Sequence, residues 1–181
     1  MNVTEKTVTS EEKFCGRLLR LQVDTVTLPN GTAATREVVR HPGGVCVAAL
    51  TDQRELLFVR QFRYPYAAET LELPAGKREP GEDPFVGIKR ELQEETGATA
   101  DRWIPLGQLY PTPGYCDEVI FLYAATGLHF GAMHPDEDEF LEPERIPLDT
   151  AVQMVMDGTL PDAKTQVLVL KAAQLAKQGE L

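Results

Sequence analysis

Strand-length runs, first alternating between apolar and polar residues and then more continuously apolar, precede the helical spacing that dominates the end of the chain. In RLLRLQVDTVTL, Leu19, Leu21 and Val23, then Val26 and Leu28, face polar neighbours, which predicts a strand whose alternation slips once. The following PNGT puts Asn30-Gly31, both tolerant of positive φ, at a tight turn, and ATREVVRH supplies the returning strand. This hairpin carries too little apolar content to stand alone, so it must pack on the main domain or on a second subunit. From Gly43 the pattern changes to the apolar runs GGVCVAAL and ELLFVRQFR, joined by the polar turn TDQR. TLELPAG reads as a short strand ending in a turn, and IPLGQLY and EVIFLYAA as strands split by the Pro/Gly loop PTPGYCD. HPDEDEFLEPERIPL is an acidic loop entering a short strand, and LDTAVQMVMDG and DAKTQVLVLKAAQLAKQ are helices. Strands interspersed with few helices predict an α+β layered domain with a mixed sheet. The expected division is an N-terminal β-hairpin element over residues 1–42 and a main domain over 43–181.

One further helix is bounded by its own ends, from Asp83 to Thr96. Asp83 suits the N-cap, Pro84 the first helical position and Gly97 the left-handed stop. Phe85, Ile88 and Leu92 recur at helical spacing and supply a face to bury. Glu91, Glu94 and Glu95 crowd its last turns, where the helix dipole is negative and each exposed acid costs about 0.3–1 kcal/mol. The like-charge pair Glu91–Glu95 adds about 0.2–0.5 kcal/mol of repulsion. Carboxylates collected where a helix least favours them make sense when a divalent cation sits over them, since magnesium takes oxygen ligands from carboxylates, water and substrate phosphates. A solvated helix face is the competing explanation of such a charge run.

Charge narrows the partners. With 18 basic and 28 acidic residues the formal net charge is −10, so no basic stripe is available for nucleic acid. An acidic protein acting on phosphorylated substrates needs bound cations. The 3 cysteines, Cys15, Cys46 and Cys116, are widely spaced without a CxxC pair, which argues against a disulfide framework or zinc site and for a reducing cytoplasm. The polar MNVTEKTVTS has no apolar signal core, and no apolar run approaches a membrane span. His41, His129 and His134 stand apart and read as structural or surface residues.

Gly76, Glu82, RELQEE from Arg90, Gly97 and Ala98 fit every fixed position of the pattern G-x5-E-x7-R-E-U-x-E-E-x-G-U, with U apolar. On these residues, which match the Nudix box, the sequence resembles the Nudix hydrolases, which cleave a nucleoside diphosphate linked to another group. The resemblance implies a Nudix α/β/α sandwich with a mixed central sheet and an N-terminal antiparallel sheet used in a homodimer. It implies Mg²⁺, with Mn²⁺ able to substitute, held by Glu91, Glu94 and Glu95 and by a main-chain carbonyl of Ala75 or Gly76. Arg90 is expected to orient Glu94, and Glu82 to support the loop–helix geometry. Gly87 departs slightly from the family, whose members often carry Ala there, at a small cost in helix stability.

VRQFRYP, ELPAGK, PTPGYCDE and HPDEDEFLE resemble the ADP-ribose pyrophosphatase branch in particular, where a proline also follows the box as Pro113 does here. By that likeness Arg63 contacts the substrate diphosphate, through the bidentate geometry that suits arginine. Glu72 matches an acidic residue near the substrate or the inner metal shell, while Arg36 and Glu37 match strand positions lining the nucleoside end. In the acidic loop Glu139 aligns with a catalytic glutamate, and Glu137 is the neighbour that could serve instead. The implied reaction is hydrolysis of ADP-ribose to AMP and ribose 5-phosphate. The alternatives are another nucleoside diphosphate sugar, such as GDP-mannose or ADP-glucose, and a non-catalytic ADP-ribose sensor, against which the intact RELQEE argues.

Overall fold

The computed structural model describes residues 2–135 and 139–181 and divides into two compact units, Met1–Gly43 with Tyr110–Val119, and Gly44–Leu109 with Ile120–Leu181.

The first unit is an antiparallel sheet of β1 (Lys6–Cys15), β2 (Arg20–Thr27) and β3 (Ala33–Arg40), in that order. The β2–β3 turn is the expected one: Gly31 takes a φ of 85°, and its N–H donates to the Leu28 carbonyl at 2.9 Å. β1 goes beyond the expected hairpin. KTVTSEEKFC is exposed along its whole length, so it carries no buried face for periodicity to reveal, and main-chain pairing to β2 forms the strand. The slip expected in β2 also has a physical origin. Its register with β3 is unbroken, and its buried positions are Asp24 and Val26, so a carboxylate occupies an inward position that an apolar residue would otherwise mark. Arg40 stands 3.7 Å from Asp24 and 3.1 Å from Asp117. Loop 110–119 joins this unit by main-chain bonds, Val39 N–H to the Tyr115 carbonyl at 2.8 Å and Asp117 N–H to the Val39 carbonyl at 3.1 Å.

The second unit holds two sheets. One has the order β10 (Glu142–Pro147), β5 (Glu55–Arg63), β6 (Ala68–Glu72). The other runs β7 (Ala75–Lys77), β4 (Gly44–Ala49), β9 (Ile120–Phe130), β8 (Ala98–Leu109), with β4 and β9 parallel. β4 is buried on both faces, which is why GGVCVAAL reads as a continuous apolar run. Cys46 and Ala48 enter a core with Phe58, Leu122 and residues of α2 (Leu148–Met156) and α3 (Ala163–Gln178). Val45 and Val47 point into the opposite core, against Ile88 and Leu92 of α1 (Pro84–Thr96). Helices thus cover both faces of mixed β-structure, an α+β fold in α/β/α layers. β8 begins at Ala98, well before the expected IPLGQLY, because Gly97 turns the chain straight from α1 into the strand. Phe85, expected on the buried face of α1, stays 36% exposed and packs edge-on against Trp103 with ring centres 5.7 Å apart. Among the described residues no helix is long and apolar enough to cross a membrane.

Candidate active site

Local sequence fixes the helix that carries the acidic cluster. Asp83 Oδ1 accepts from the Phe85 and Val86 N–H groups at 2.9 and 3.3 Å, which caps the first turn. Gly97 ends the helix with a φ of 69°, and a Cβ there would lie 2.4 Å from the Gly131 carbonyl oxygen, so both conformation and space demand glycine. The last turns therefore sit at a fixed place, with Ile88 and Leu92 buried beneath them.

The carboxylates at that end are partly inside the protein. Glu91 is 6% exposed and Glu95 only 2%. Burial raises Glu91 to about 7, Arg90 opposes the rise, and the charges of Glu94 and Glu139 add to it. Burial likewise pushes Glu95 well above the usual carboxylate range, against the Ala75 N–H, which favours the ionised form. Each carboxylate gives one oxygen to a protein donor. Arg90 Nη1 reaches Glu91 Oε1 at 2.9 Å and Glu94 Oε2 at 2.8 Å, and the Ala75 N–H donates to Glu95 Oε2 at 3.0 Å. The second oxygen of each lies outside these bonds. Arg90 is itself anchored by Glu82, whose oxygens accept from Nε at 3.1 Å and Nη2 at 3.2 Å. Glu82 also receives the Glu79 N–H at 2.9 Å, which closes the loop leading into α1. Arg90 accordingly touches Glu94 and Glu91 together.

Three hard oxygens on one helix end, two of them on buried carboxylates, suit a divalent cation. Among the described residues, no three His, Cys, Asp or Glu side chains already converge as a metal cage. Carboxylate oxygens of this kind are what a divalent cation takes alongside water and substrate oxygens.

Arg63 and Glu72 form a second cluster in the same unit. Glu72 is 2% exposed, and Arg63 grips it with Nε and Nη2, each 2.7 Å from a carboxylate oxygen. Burial alone would raise the Glu72 pKa, but the Arg63 fork and Lys164 outweigh it and bring the group down to about 2. Lys164 and its neighbour Asp162 were not legible as site residues. Their one sequence signal is a lysine in the first turn of a helix, where the dipole disfavours it. Arg60 lies apart, 2.6 Å from Glu144.

Arg36, Glu37 and Pro113 line a cleft of about 440 Å³ in the first unit, together with Tyr110, Tyr115 and Cys116. Arg36 is held there by Glu5, at 2.9 and 2.6 Å. Glu139 is exposed, and its charge bears on both Glu91 and Glu95. Glu137 lies outside the described residues. His41 Nδ1 accepts from the Gly43 N–H at 3.0 Å, His129 pairs with Asp101 at 2.9 Å, and the His134 N–H donates to the Glu94 carbonyl at 3.0 Å.

Comparison with known proteins finds matches along most of the chain. Residues 40–168 match the NUDIX domain, and residues 5–39 match the nucleoside diphosphate sugar hydrolase N-terminal domain. The chain is 44% identical to the methanol dehydrogenase activator of Bacillus methanolicus, over 91% of this chain and 90% of that one. It is 40% identical to the ADP-ribose pyrophosphatase of Bacillus subtilis, over 98% of this chain and 99% of that one. A crystal structure of an ADP compounds hydrolase superposes with a TM-score of 0.85 over 100% of both chains at 22% identity, which is a likeness of fold. Nudix hydrolases generally depend on divalent metal ions. With the domain match spanning most of its length and the box carboxylates gathered at the end of α1, the chain belongs to the Nudix family.

Proposed function

We propose that this chain hydrolyses the diphosphate of ADP-ribose to AMP and ribose 5-phosphate, with Mg²⁺ as its ion and Mn²⁺ as a substitute. The observation that carries the reading is the division of labour among Glu91, Glu94 and Glu95, each steadied through one oxygen by Arg90 or Ala75. Those three side chains and the main-chain carbonyl at Ala75 would hold the ion. Bound there, it would supply charge for the developing negative oxygens of the diphosphate and acidify the attacking water. Arg90 keeps two of the carboxylates in place. Arg63, with Glu72 behind it, binds the diphosphate. Glu139 accepts the proton of the attacking water or orients it, and Glu137 is the neighbour that would replace it in that role. Arg36, Glu37 and Pro113 take the nucleoside end, a reading supported by the cleft they share.

Residues 1–42 serve as a dimerisation element and 43–181 as the catalytic domain of a cytoplasmic homodimer. The exposed length of β1, with Val8 and Phe14 uncovered on it, supports an intersubunit role for that sheet. The free thiols of Cys15, Cys46 and Cys116 support a reducing compartment.

The test is a panel of nucleoside diphosphate derivatives, including ADP-ribose, GDP-mannose and ADP-glucose, assayed with Mg²⁺ and resolved by chromatography. The highest kcat/KM is expected for ADP-ribose. A clear preference for GDP-mannose would replace the substrate while keeping the chemistry. Binding of ADP-ribose without turnover of any member would make the protein a sensor.

A further inference from the structure

Lys164 is placed against two physical costs at once. It is the second residue of α3, where the helix dipole disfavours a cation, and its side chain is only 11% exposed, where an ammonium persists only when paired. Carboxylates meet both costs. Its Nζ donates to Glu72 Oε2 and, at 3.0 Å, to Asp162 Oδ1. Asp162 caps the same helix through its other oxygen, which accepts from the Thr165 N–H at 2.9 Å.

Glu72 is the hub of this arrangement. Oε1 accepts from Arg63 Nε and from Thr70 Oγ1, each at 2.7 Å, while Oε2 accepts from Arg63 Nη2 at 2.7 Å and from Lys164. Both oxygens are thus clamped independently of Arg63, one by Thr70 and one by Lys164. The Arg63 fork uses Nε and Nη2, which leaves Nη1 outside it on a side chain that is 39% exposed. A mere staple between α3 and β6 needs no buried charge, since Thr165 Oγ1 already accepts from the Leu73 N–H at 3.0 Å and Leu168 and Val169 are buried in the core.

We propose that Lys164 is a positioning residue: through Glu72 it fixes the guanidinium of Arg63 so that the remaining Nη1 edge meets the substrate diphosphate. This rests on the diphosphate role given to Arg63 above. Removing Lys164 unclamps one oxygen of Glu72, lets the carboxylate rotate and takes the Arg63 fork with it.

The experiment is a double-mutant cycle on the binding of ADP with Mg²⁺, read by isothermal titration calorimetry. Arg63→Gln should weaken ADP binding about 30-fold and Lys164→Met about tenfold, as expected for lost or misaligned charge-assisted bonds. The double variant should lie within about twofold of Arg63→Gln alone, because Lys164 then has nothing left to position. Losses that simply multiply, or wild-type affinity in Lys164→Met, overturn the proposal. Where Lys164→Met does not fold, Thr70→Val opens the other clamp without leaving a buried charge unpaired. It should weaken ADP binding about threefold, again without adding to Arg63→Gln. Additive losses there, or none, overturn the proposal equally. A wild type that binds no ADP removes the diphosphate role of Arg63 itself, whereas ADP binding with an additive cycle removes only the role of Lys164.

Discussion

The Glu91 carboxylate occupies the space where a side chain at residue 76 would begin: a Cβ built on Gly76 would stand 2.0 Å from Glu91 Cδ and 2.2 Å from each oxygen. Residue 76 pairs with Val45 in the β4–β7 ladder, so its backbone cannot retreat easily, and Glu91 is itself buried and bonded to Arg90. Gly76→Ala should therefore displace Glu91 rather than the strand. The expected result is a stability loss of about 1–3 kcal/mol, typical of overpacking, with a disproportionate fall in turnover. Denaturant unfolding and kcat measured on the same preparation separate the two effects. Equal activity in Gly76→Ala would show that Glu91 does not need its present position.

The acidic loop separates proton transfer from ion binding. Glu139→Gln should lower kcat by about 10²–10⁴-fold, the usual cost of removing a general base, with substrate affinity within a few-fold of normal. Glu137→Gln should be much milder. Saturation kinetics of both variants at excess Mg²⁺ decide between them, and full kcat in both would reduce the loop to a solvated charge run.

Two raised carboxyls make the ion-free protein sensitive to pH in a defined direction. Burial moves Glu91 from 4.5 to about 7 and pushes Glu95 well above the usual carboxylate range. Between the ordinary value and the raised one the folded chain holds more protons than the unfolded chain, so stability falls as pH rises through that window. Glu72 acts in the opposite sense: lowered to about 2, its contribution is present above 4.5 and lost as pH falls towards 2. Denaturation with a chelator present should give a lower midpoint at pH 8 than at pH 5, and Glu95→Gln should shrink that difference. Added Mg²⁺ should restore stability at pH 8, where the ligands are ionised. An unchanged pH dependence in Glu95→Gln would contradict the burial assigned to this group.

These sites differ in how legible they were. The box helix could be read to its caps because Asp83, Pro84 and Gly97 act locally, each through its own backbone. The carboxylates were visible because they defy the helix dipole, a rule that needs no tertiary information. By contrast β1 left no trace, since an exposed strand held by main-chain pairing has no apolar period. Asp24 broke the alternation of β2 because burial of a carboxylate near Arg40 is a tertiary event. Lys164 was hidden for the same reason: 92 residues separate it from Glu72, and no spacing rule spans that distance.

A dimer built on the N-terminal sheet should be visible in solution. Sedimentation velocity is expected to give a homodimer at assay concentration, and Phe14→Glu with Val8→Glu should shift it towards monomer by placing charge on the uncovered side chains of β1. A stable, fully active monomer would remove the sheet from the interface.

The most direct test of hydrolysis at the box carboxylates is a Mg²⁺ titration of ADP-ribose cleavage by the wild type and Glu95→Gln, with products resolved. The wild type should release AMP and ribose 5-phosphate only with the divalent ion present. Glu95→Gln should keep its fold and lose about two orders of magnitude or more of turnover, because a metal ligand is gone. Cleavage that persists in chelator, or near-normal turnover in Glu95→Gln, would contradict the assignment.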